Sequence, residues 1–201
     1  MFSWEEVLYF WFGELDDDGV PATELRQRWF QASRSFDWEI RRRFFSLVLV
    51  ASENGLESWR DEPGGALAEL LLLDQFPRNI HRGRAMAFDA DPQALKNCLA
   101  GLERGHDVTL PLIQRAFFFM PLQHSEKLTH QERGVALYEQ LVALADGRLK
   151  DVLRSFHQSA VSHRDIVARF GRFPHRNRLL GRRSTPEEEG YLRDGGPAFG
   201  Q

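Results

Sequence analysis

The stretch LLLDQFPRNIHRG, residues 71–83, decides how the chain is expected to fold. It closes a run, residues 67–75, that is apolar on nearly every side, as is typical of a helix buried at the centre of a domain. Pro77 follows, and a helix usually ends at or before the residue that precedes a proline. We therefore predict a central helix that ends near Gln75 and is followed by a turn rich in cations.

Asp74 is the residue in this stretch that needs a partner. It follows Leu67, Leu70 and Leu71 at spacings of seven, four and three residues, so it lies on their apolar face. The C-terminus of a helix also disfavours an anion, so burial and the helix dipole both oppose a charge at this position. An arginine would resolve the conflict, either as a buried ion pair that only fixes the turn or as a group that Asp74 orients toward a ligand.

Helical signals recur along the rest of the chain, and no stretch alternates convincingly with a period of two. Ser3 is a candidate cap for the first helix, and Asp91-Pro92 places a cap before a proline at the first helical position. We predict helices over 4–12, 22–31, 37–53, 67–75, 91–105, 109–120, 126–146 and 148–170, and a short one from 184. The fold class is therefore all-α: a single helical domain over 1–201, with about eight or nine helices arranged as antiparallel hairpins. Residues 195–201 are predicted to form a flexible tail.

The composition excludes several classes of protein. With 201 residues, 42% of them hydrophobic, the chain can bury the core of one domain. Its net charge of −3 gives no general attraction to nucleic acid or to a membrane surface. The single cysteine, Cys98, cannot form an internal disulfide, which fits a reducing cytosol. We find no cationic start of a signal peptide and no apolar run near the ~20 residues of a membrane helix, so we expect a cytoplasmic protein without a membrane contact.

Neither a metal site nor a cofactor site is predicted. Two histidine pairs, His124 with His130 and His157 with His163, have a spacing of six residues. Histidines that share a zinc ion on one helix are four residues apart. The sequence has no pair of cysteines, no phosphate-binding glycine loop and no dinucleotide fingerprint.

A second polar segment, FFFMPLQHSE, covers residues 117–126. Pro121 is predicted to end one helix, and Ser125 to cap the next one. His124 would then lie beside a helix N-terminus, where backbone N–H groups favour anions. A capping segment with a packed histidine would explain the same residues without a ligand.

The third polar segment, residues 161–189, is basic. Between 164 and 183 it has seven arginines and one acid, a net charge of +6, which leaves −9 for the rest of the chain. These arginines could bind an anion or could form a solvated face. His163 lies on the apolar stripe of its helix, where a lone histidine is more often a hydrogen-bonded core residue than a ligand. The candidate binding side chains of the loop are Arg172, His175, Arg176 and Asn177.

Four stretches resemble one known family. They are FWFG (10–13), LLLDQFPRNIHRG (71–83), AFFFMPLQHSE (116–126) and ARFGRFPHRNRLLGRRSTPEE (168–188). Together they are similar to the bacterial domain-of-unknown-function family nine-two-four, over nearly the whole chain from Val7 to about Phe199. The resemblance implies a tetratricopeptide-like helical fold, a bacterial origin and residence in the cytosol. It implies no activity and no catalytic residue.

We predict that the segments 74–84, 120–126 and 171–182 converge on one polar pocket. Each follows a helix that is stopped at or near a proline, and alternate connections in a stack of antiparallel helices lie on the same side. The predicted ligand-binding residues are Arg78, Asn79, His124, Arg172, His175, Arg176 and Asn177. Arginine forks, a histidine and a helix N-terminus together favour an anion. The competing interpretation is that the arginines tie the loops to buried carboxylates such as Asp74, with no ligand present.

Three functions remain open. The first is the binding or processing of a small anionic metabolite, with His124 or His175 as an acid–base group. The second is a scaffold for a protein or peptide partner, on the analogy of other tetratricopeptide-like folds. The third, nucleic-acid binding through residues 164–183, is opposed by the negative charge of the whole chain.

Overall fold

The structure, a computed structural model, describes residues 3–197 and 199. In this part of the chain 72% of the residues are helical and no β-strand is present, so the prediction of an all-α fold is confirmed. This part of the chain has nine helices, α1 to α9 in chain order. The first three, α1 to α3, cover Trp4–Phe12, Thr23–Phe30 and Arg34–Ser52, and α4 consists of three consecutive parts, Pro63–Leu70, Leu71–Gln75 and Phe76–Ile80. Helix α5 covers Asp91–Glu103, α6 consists of Leu112–Phe118 and Met120–Gln123, and α7 to α9 cover Leu128–Leu144, Gly147–Phe170 and Pro186–Arg193. Short 3₁₀ turns lie between them at Glu57–Asp61, Ala85–Ala87, Asp107–Thr109 and Pro174–Arg176.

Helix α4 is the centre of the domain. Every residue from 65 to 79 is buried, the polar ones included. Helices α1, α3, α5 and α6 all contact it, so its middle turns are covered on every side. This is why the sequence of α4 is apolar nearly all round, and the predicted central position is confirmed.

Pro77 does not end α4, so the predicted stop at this proline is wrong. The residues Leu71–Gln75 form a π-helical turn, in which the Phe76 N–H donates to the Leu71 carbonyl five residues earlier. Proline has no N–H, and it is tolerated in the first turn of a helix, where that group would have no helical partner. The α-helical path restarts just before Pro77, and α4 continues to Ile80.

Asp74 consequently lies in the middle of α4 and not at its C-terminus. The predicted opposition from the helix dipole does not apply, because that effect is confined to the terminal turns of a helix. Burial is what opposes the charge of this carboxylate, and the charge has to be compensated by neighbouring side chains.

The segment after α6 also differs from the prediction. Pro121 lies within Met120–Gln123, the last turn of α6, instead of ending the helix before it. Helix α7 begins at Leu128, and Ser125 is not its N-cap, because the Ser125 hydroxyl accepts from a backbone N–H in the turn before the helix. His124 therefore follows the C-terminal end of α6, and its predicted position beside a helix N-terminus is wrong.

Two acids that were predicted to start helices have a different role. Helix α3 begins three residues before the predicted start at Asp37, because the Ser33 side chain caps it by accepting from a backbone N–H at 3.3 Å. Helix α5 has Asp91 as its first residue, and not as the residue that precedes it. Both carboxylates bind arginines instead, Asp37 with Arg82 at 2.8 Å and Asp91 with Arg78 at 2.8 Å. Asp91 therefore connects α5 to α4, and Asp37 connects α3 to the turn that follows α4.

Aromatic rings join the first half of the chain to α6. Trp11 of α1 contacts Phe76 of α4, with ring centroids 5.4 Å apart. Trp29 of α2 contacts Phe117 of α6 edge to face at 4.7 Å. Such pairs add ~0.5–1.5 kcal/mol each beyond the area that they bury. In the second half of the chain, α7 and α8 form a long helical hairpin with an extensive mutual contact.

Three expectations about the whole chain stay predictions: the single domain, the tetratricopeptide-like stacking and the flexible tail. Of the predicted tail 195–201, residues 198, 200 and 201 lie outside the described part of the chain. Phe199 stacks on the ring of His163, with the ring centroids 3.6 Å apart. Among the described residues, no helix combines the length and the apolar character needed to cross a membrane.

Gly101 tests how closely α5 and α6 approach each other. A methyl group added at Gly101 would lie 2.5 Å from the ring of Phe118, which is fully buried. We expect Gly101→Ala to lower the free energy of unfolding in urea by ~1–3 kcal/mol, because the core would be overpacked. At Gly134 in α7, an added methyl group would meet Leu122 at an ordinary 3.5 Å. Gly134→Ala should therefore stabilise the protein by ~0.5–1 kcal/mol, and equal stability of the two variants would contradict this packing.

Candidate functional site

A cavity of about 270 Å³ opens between α2, α4, α6, α8 and the loop that follows α8. At ~30 Å³ per water molecule it has room for about nine waters. Sites for drug-sized ligands usually measure ~300–1,000 Å³, so this cavity suits a small molecule. Its apolar lining consists of Trp29, Phe30, Phe88, Met120 and Phe199.

The three predicted segments converge on this cavity. The first contributes Arg78 and Asn79, the second His124, and the third His175 and Arg176. Residues near the C-terminal ends of α4 and α6 and residues of the loop after α8 all line the cavity. The polar groups that follow the three proline-containing segments therefore face a common space.

Arg172 and Asn177, two of the predicted binding residues, lie outside the cavity. Both donate to the Glu188 carboxylate of α9, Arg172 from Nε at 2.6 Å and Asn177 from Nδ2 at 3.2 Å. They flank the 3₁₀ turn Pro174–Arg176 and anchor it to the terminal helix. Glu188 is a buried acid that also accepts from the backbone N–H of Thr185 in the capping box of α9. The structure thus assigns them to loop anchoring, which corrects their predicted place in the pocket.

Asp74 is buried, with 2% of its surface exposed, and three side chains compensate its charge. Arg78 Nη1 lies 3.4 Å from Oδ1, Gln75 donates to Oδ2 at 2.5 Å, and His124 Nδ1 lies 2.7 Å from Oδ1. Burial alone would raise the pKa of the Asp74 carboxyl, but Arg78 and His124 outweigh it and hold that pKa below its ordinary value. Asp74 is therefore ionised at neutral pH.

Two arginines share the carboxylate of Asp91 at the start of α5. Arg78 binds it with both Nη atoms, at 2.8 and 2.9 Å, and Arg176 binds it with Nη1 at 3.2 Å. The Arg176 guanidinium also lies over the rings of Phe88 and Phe173, at 4.6 Å from each centroid. Burial lowers the pKa of Arg176 to about 10, so this residue remains charged at neutral pH.

Three histidines line the cavity, and all three are neutral at neutral pH. Burial lowers the pKa of His163 and that of His175 to about 3, and the positive charge of Arg176 adds to the effect. Burial and the charge of Arg78 also lower the pKa of His124, against the opposing effect of its carboxylate partner. A neutral imidazole has one nitrogen that can accept a hydrogen bond or a proton from a ligand.

Sequence reasoning missed two parts of the site. Asp91 was interpreted as a helix cap, and its position before Pro92 gave no signal that it would bind Arg78 and Arg176. The π-helical turn that holds Asp74 was also missed, because one inserted residue leaves the apolar pattern of a fully buried helix unchanged. Such turns are rare and frequently lie at functional sites, and Gln75 of this turn lines the cavity.

Among the described residues, no group of three or more histidine, cysteine, aspartate or glutamate side chains is arranged to hold a metal ion. The ring centroids of His124 and His163 lie 6.1 Å apart, and both residues line the cavity.

Comparison with known proteins agrees with the resemblance found in the sequence. The model of a family described as "Bacterial protein of unknown function (DUF924)" matches residues 7–196. A solved structure of a protein of unknown function, ATU0120 from Agrobacterium tumefaciens, is 35% identical and superposes with a TM-score of 0.80. The match covers 96% of this chain and 97% of that protein. No curated protein matches the sequence.

Removal of the Asp74 carboxylate is expected to be strongly destabilising. Asp74→Ala takes a buried charge partner from Arg78 and His124, and we expect the free energy of unfolding in urea to fall by ~3–5 kcal/mol. The matched control is Asp151→Ala, which removes an exposed carboxylate of α8 that pairs with Arg154 three residues away. This control should change the stability little. If both variants were equally stable, the contacts of Asp74 would contribute no more than a surface ion pair does.

The buried histidines make the stability depend on pH. The folded pKa values of His163 and His175, about 3, lie below the ~6.5 of a histidine in an unfolded chain. Between these values the unfolded chain binds more protons, so the stability is greatest above ~6.5 and falls as the pH decreases. We expect the urea midpoint to fall between about pH 7 and about pH 5, a range above the titration of most carboxylates.

His163→Gln should reduce the slope of that pH dependence, because it removes one of the groups that cause it. The control is His157→Gln, in the same helix but outside the cavity lining, which should leave the slope as in the wild-type protein. A slope that His163→Gln does not alter would contradict the buried neutral state of this histidine.

Proposed function

The chain belongs to the DUF924 family of bacterial proteins of unknown function, and we propose that its cavity binds a small, partly apolar molecule with one negative charge. The observation that carries the proposal is the incomplete hydrogen bonding of Arg176, a buried guanidinium in the cavity wall. The charge balance around the cavity and its apolar lining define the ligand further.

Arg176 differs from Arg78 in how far its donors are used. Arg78 binds Asp91 through two hydrogen bonds and donates a third one to the backbone carbonyl of Asp74. Arg176 makes one hydrogen bond, at 3.2 Å, and its buried Nε has no acceptor among the residues that the structure describes. Nη2 of Arg176 also makes no hydrogen bond to a described residue, so a ligand oxygen in the cavity would accept from it and offset part of the ~1–3 kcal/mol that an unsatisfied donor costs.

The charges around the cavity favour a single negative charge on the ligand. Asp74 and Asp91 already balance the charges of Arg78 and Arg176. A bound carboxylate would raise the pKa values of the neutral histidines, and one proton taken up there would restore neutrality. A dianion such as a phosphate monoester would need two such protons, so a monocarboxylate fits better.

The apolar wall defines the rest of the ligand. Trp29 and Phe30 of α2 face the cavity, as do Phe88 and Met120. An aliphatic or aromatic group packed against these side chains gains ~25 cal/mol for each Å² of apolar surface removed from water. A short carboxylic acid with such a group can therefore bind Arg176 and pack against the apolar side chains of the cavity.

The alternatives have less support. Five of the seven arginines between 164 and 183 pair with carboxylates, which leaves little free charge for a nucleic acid. The pairs are Arg164–Asp165, Arg169–Glu187, Arg172–Glu188, Arg176–Asp91 and Arg182–Glu126. A scaffold for a protein partner is supported by fold analogy alone. We place the proposed activity in the cytoplasm, because the free thiol of Cys98 fits a reducing compartment.

A panel of monocarboxylates tests this proposal. We expect phenylacetate or hexanoate to raise the Tm of the wild-type protein, because a ligand at about 100 times its Kd adds ~2.7 kcal/mol to the stability. Inorganic phosphate should give a smaller shift. Arg176→Gln should abolish the shift produced by the acids, because it removes the cation that binds them.

The matched control is Arg172→Gln. Arg172 comes from the same loop and also pairs with a carboxylate, but it lies outside the cavity. This variant should retain the shift. A panel that produces no shift in the wild-type protein, or a shift that survives in Arg176→Gln, would count against the proposed function.

A further inference from the structure

His124 is held in place by a residue that does not itself reach the cavity. Its Nδ1 lies 2.7 Å from Oδ1 of Asp74, and Asp74 is not part of the cavity lining, whereas His124 is. No hydrogen bond joins the other ring nitrogen, Nε2, to any residue in the described part of the chain. One ring nitrogen of His124 is thus bound by the protein, and the second nitrogen is available to a ligand.

The carboxylate determines which nitrogen of His124 carries the proton. Asp74 is ionised, and its second oxygen accepts from Gln75, so toward His124 it can only accept. Neutral His124 therefore carries its proton on Nδ1 and has a lone pair on Nε2. The opposite tautomer would place the Nδ1 lone pair against a carboxylate oxygen, which is repulsive.

A second histidine offers an acceptor to the same cavity. His163 donates from Nδ1 to the Ser159 carbonyl at 2.8 Å, so its Nε2 also has a lone pair. Gln123 also lines the cavity, but its Oε1 is fully buried and its Nε2 lies 3.3 Å from Ser159 Oγ. The acceptor nitrogens of His124 and His163 therefore face the same cavity as the guanidinium of Arg176.

We infer that the ligand of this cavity is a hydroxy acid, whose carboxylate binds Arg176 and whose hydroxyl donates to Nε2 of His124. The inference rests on the proposed function, since it takes the anion site as given. A simple carboxylate brings no hydrogen-bond donor and would leave Nε2 of His124 without a partner. An amine would be cationic, and the cavity lining, among the described residues, has no carboxylate that could pair with it. A hydroxyl supplies a donor without a charge.

The hydroxyl group should raise the affinity of the acid by more than one additional hydrogen bond would. An acid that lacks it leaves Nε2 of His124 desolvated and unpaired, and a site built around a hydroxyl rejects the analogue without one. We expect the wild-type protein to bind the hydroxy acid at least about tenfold more tightly than the matched plain acid.

Matched pairs of acids test the inference by isothermal titration calorimetry on the whole protein. The pairs are lactate with propionate and mandelate with phenylacetate. The hydroxy member of a pair should bind about tenfold more tightly to the wild-type protein. His124→Phe, which has no acceptor, should abolish that preference and should retain the binding of the plain acid through Arg176. His157→Phe, outside the cavity, should retain both.

Asp74→Asn provides a second variant of nearly the same shape. Its amide can donate to Nδ1, so Nε2 would carry the proton and the preference for the hydroxyl should disappear. If His124→Phe or Asp74→Asn unfolds below the temperature of the titration, the remaining variant tests the preference for the hydroxyl. Equal binding of both members in the wild-type protein, or a preference that survives in His124→Phe, would overturn the inference and leave the proposed function standing. If no acid binds the wild-type protein, both are overturned.

Discussion

The buried charge of Asp74 is the constraint on which the rest of the structure depends. A carboxylate in the middle of the central helix stays ionised only when neighbouring groups compensate for it. Its partners are Arg78, one turn further along α4, and His124, from the segment after α6. Arg78 in turn binds Asp91 at the start of α5, and Asp91 binds Arg176 in the loop after α8. One buried charge therefore fixes the relative positions of four parts of the chain.

The π-helical turn explains how α4 combines this charge with a proline. Each residue added to a helix rotates the following side chains by roughly 100°. In a regular helix, Pro77 would remove a hydrogen bond and clash with the carbonyl four residues earlier, and neighbours such as Asp74 and Gln75 would diverge. In the widened turn, Gln75 donates to the Asp74 carboxylate and also lines the cavity. The irregular turn thus supports the charge and shapes the site with the same residues.

The parts of this structure that could be predicted from the sequence depend on local patterns. The apolar run of α4 and the place of Asp74 on its leucine face are such patterns, and they predicted a central helix with a buried acid. Asp91 binds arginines that lie 13 and 85 residues away, and no local pattern shows pairs of this kind. The difference between Arg172 and Arg176 has the same origin, since both are loop arginines and only the path of the loop directs one of them to Glu188. The rule for prolines failed at Pro77 because it describes α-helices and not π-turns.

The arginines are prominent in the sequence, yet most of them serve the stability of the fold. The interpretation that the arginines tie segments of the chain to carboxylates holds for Arg78, which binds Asp91, and for Arg172, which binds Glu188. It does not explain Arg176, with a buried Nε that lacks an acceptor among the described residues, or the neutral histidines around the cavity. Buried polar groups that are left unsatisfied cost stability, and apolar side chains would fill the same space at lower cost. A binding site has the opposite requirement, because groups left unsatisfied in the free protein are the ones that a ligand can satisfy.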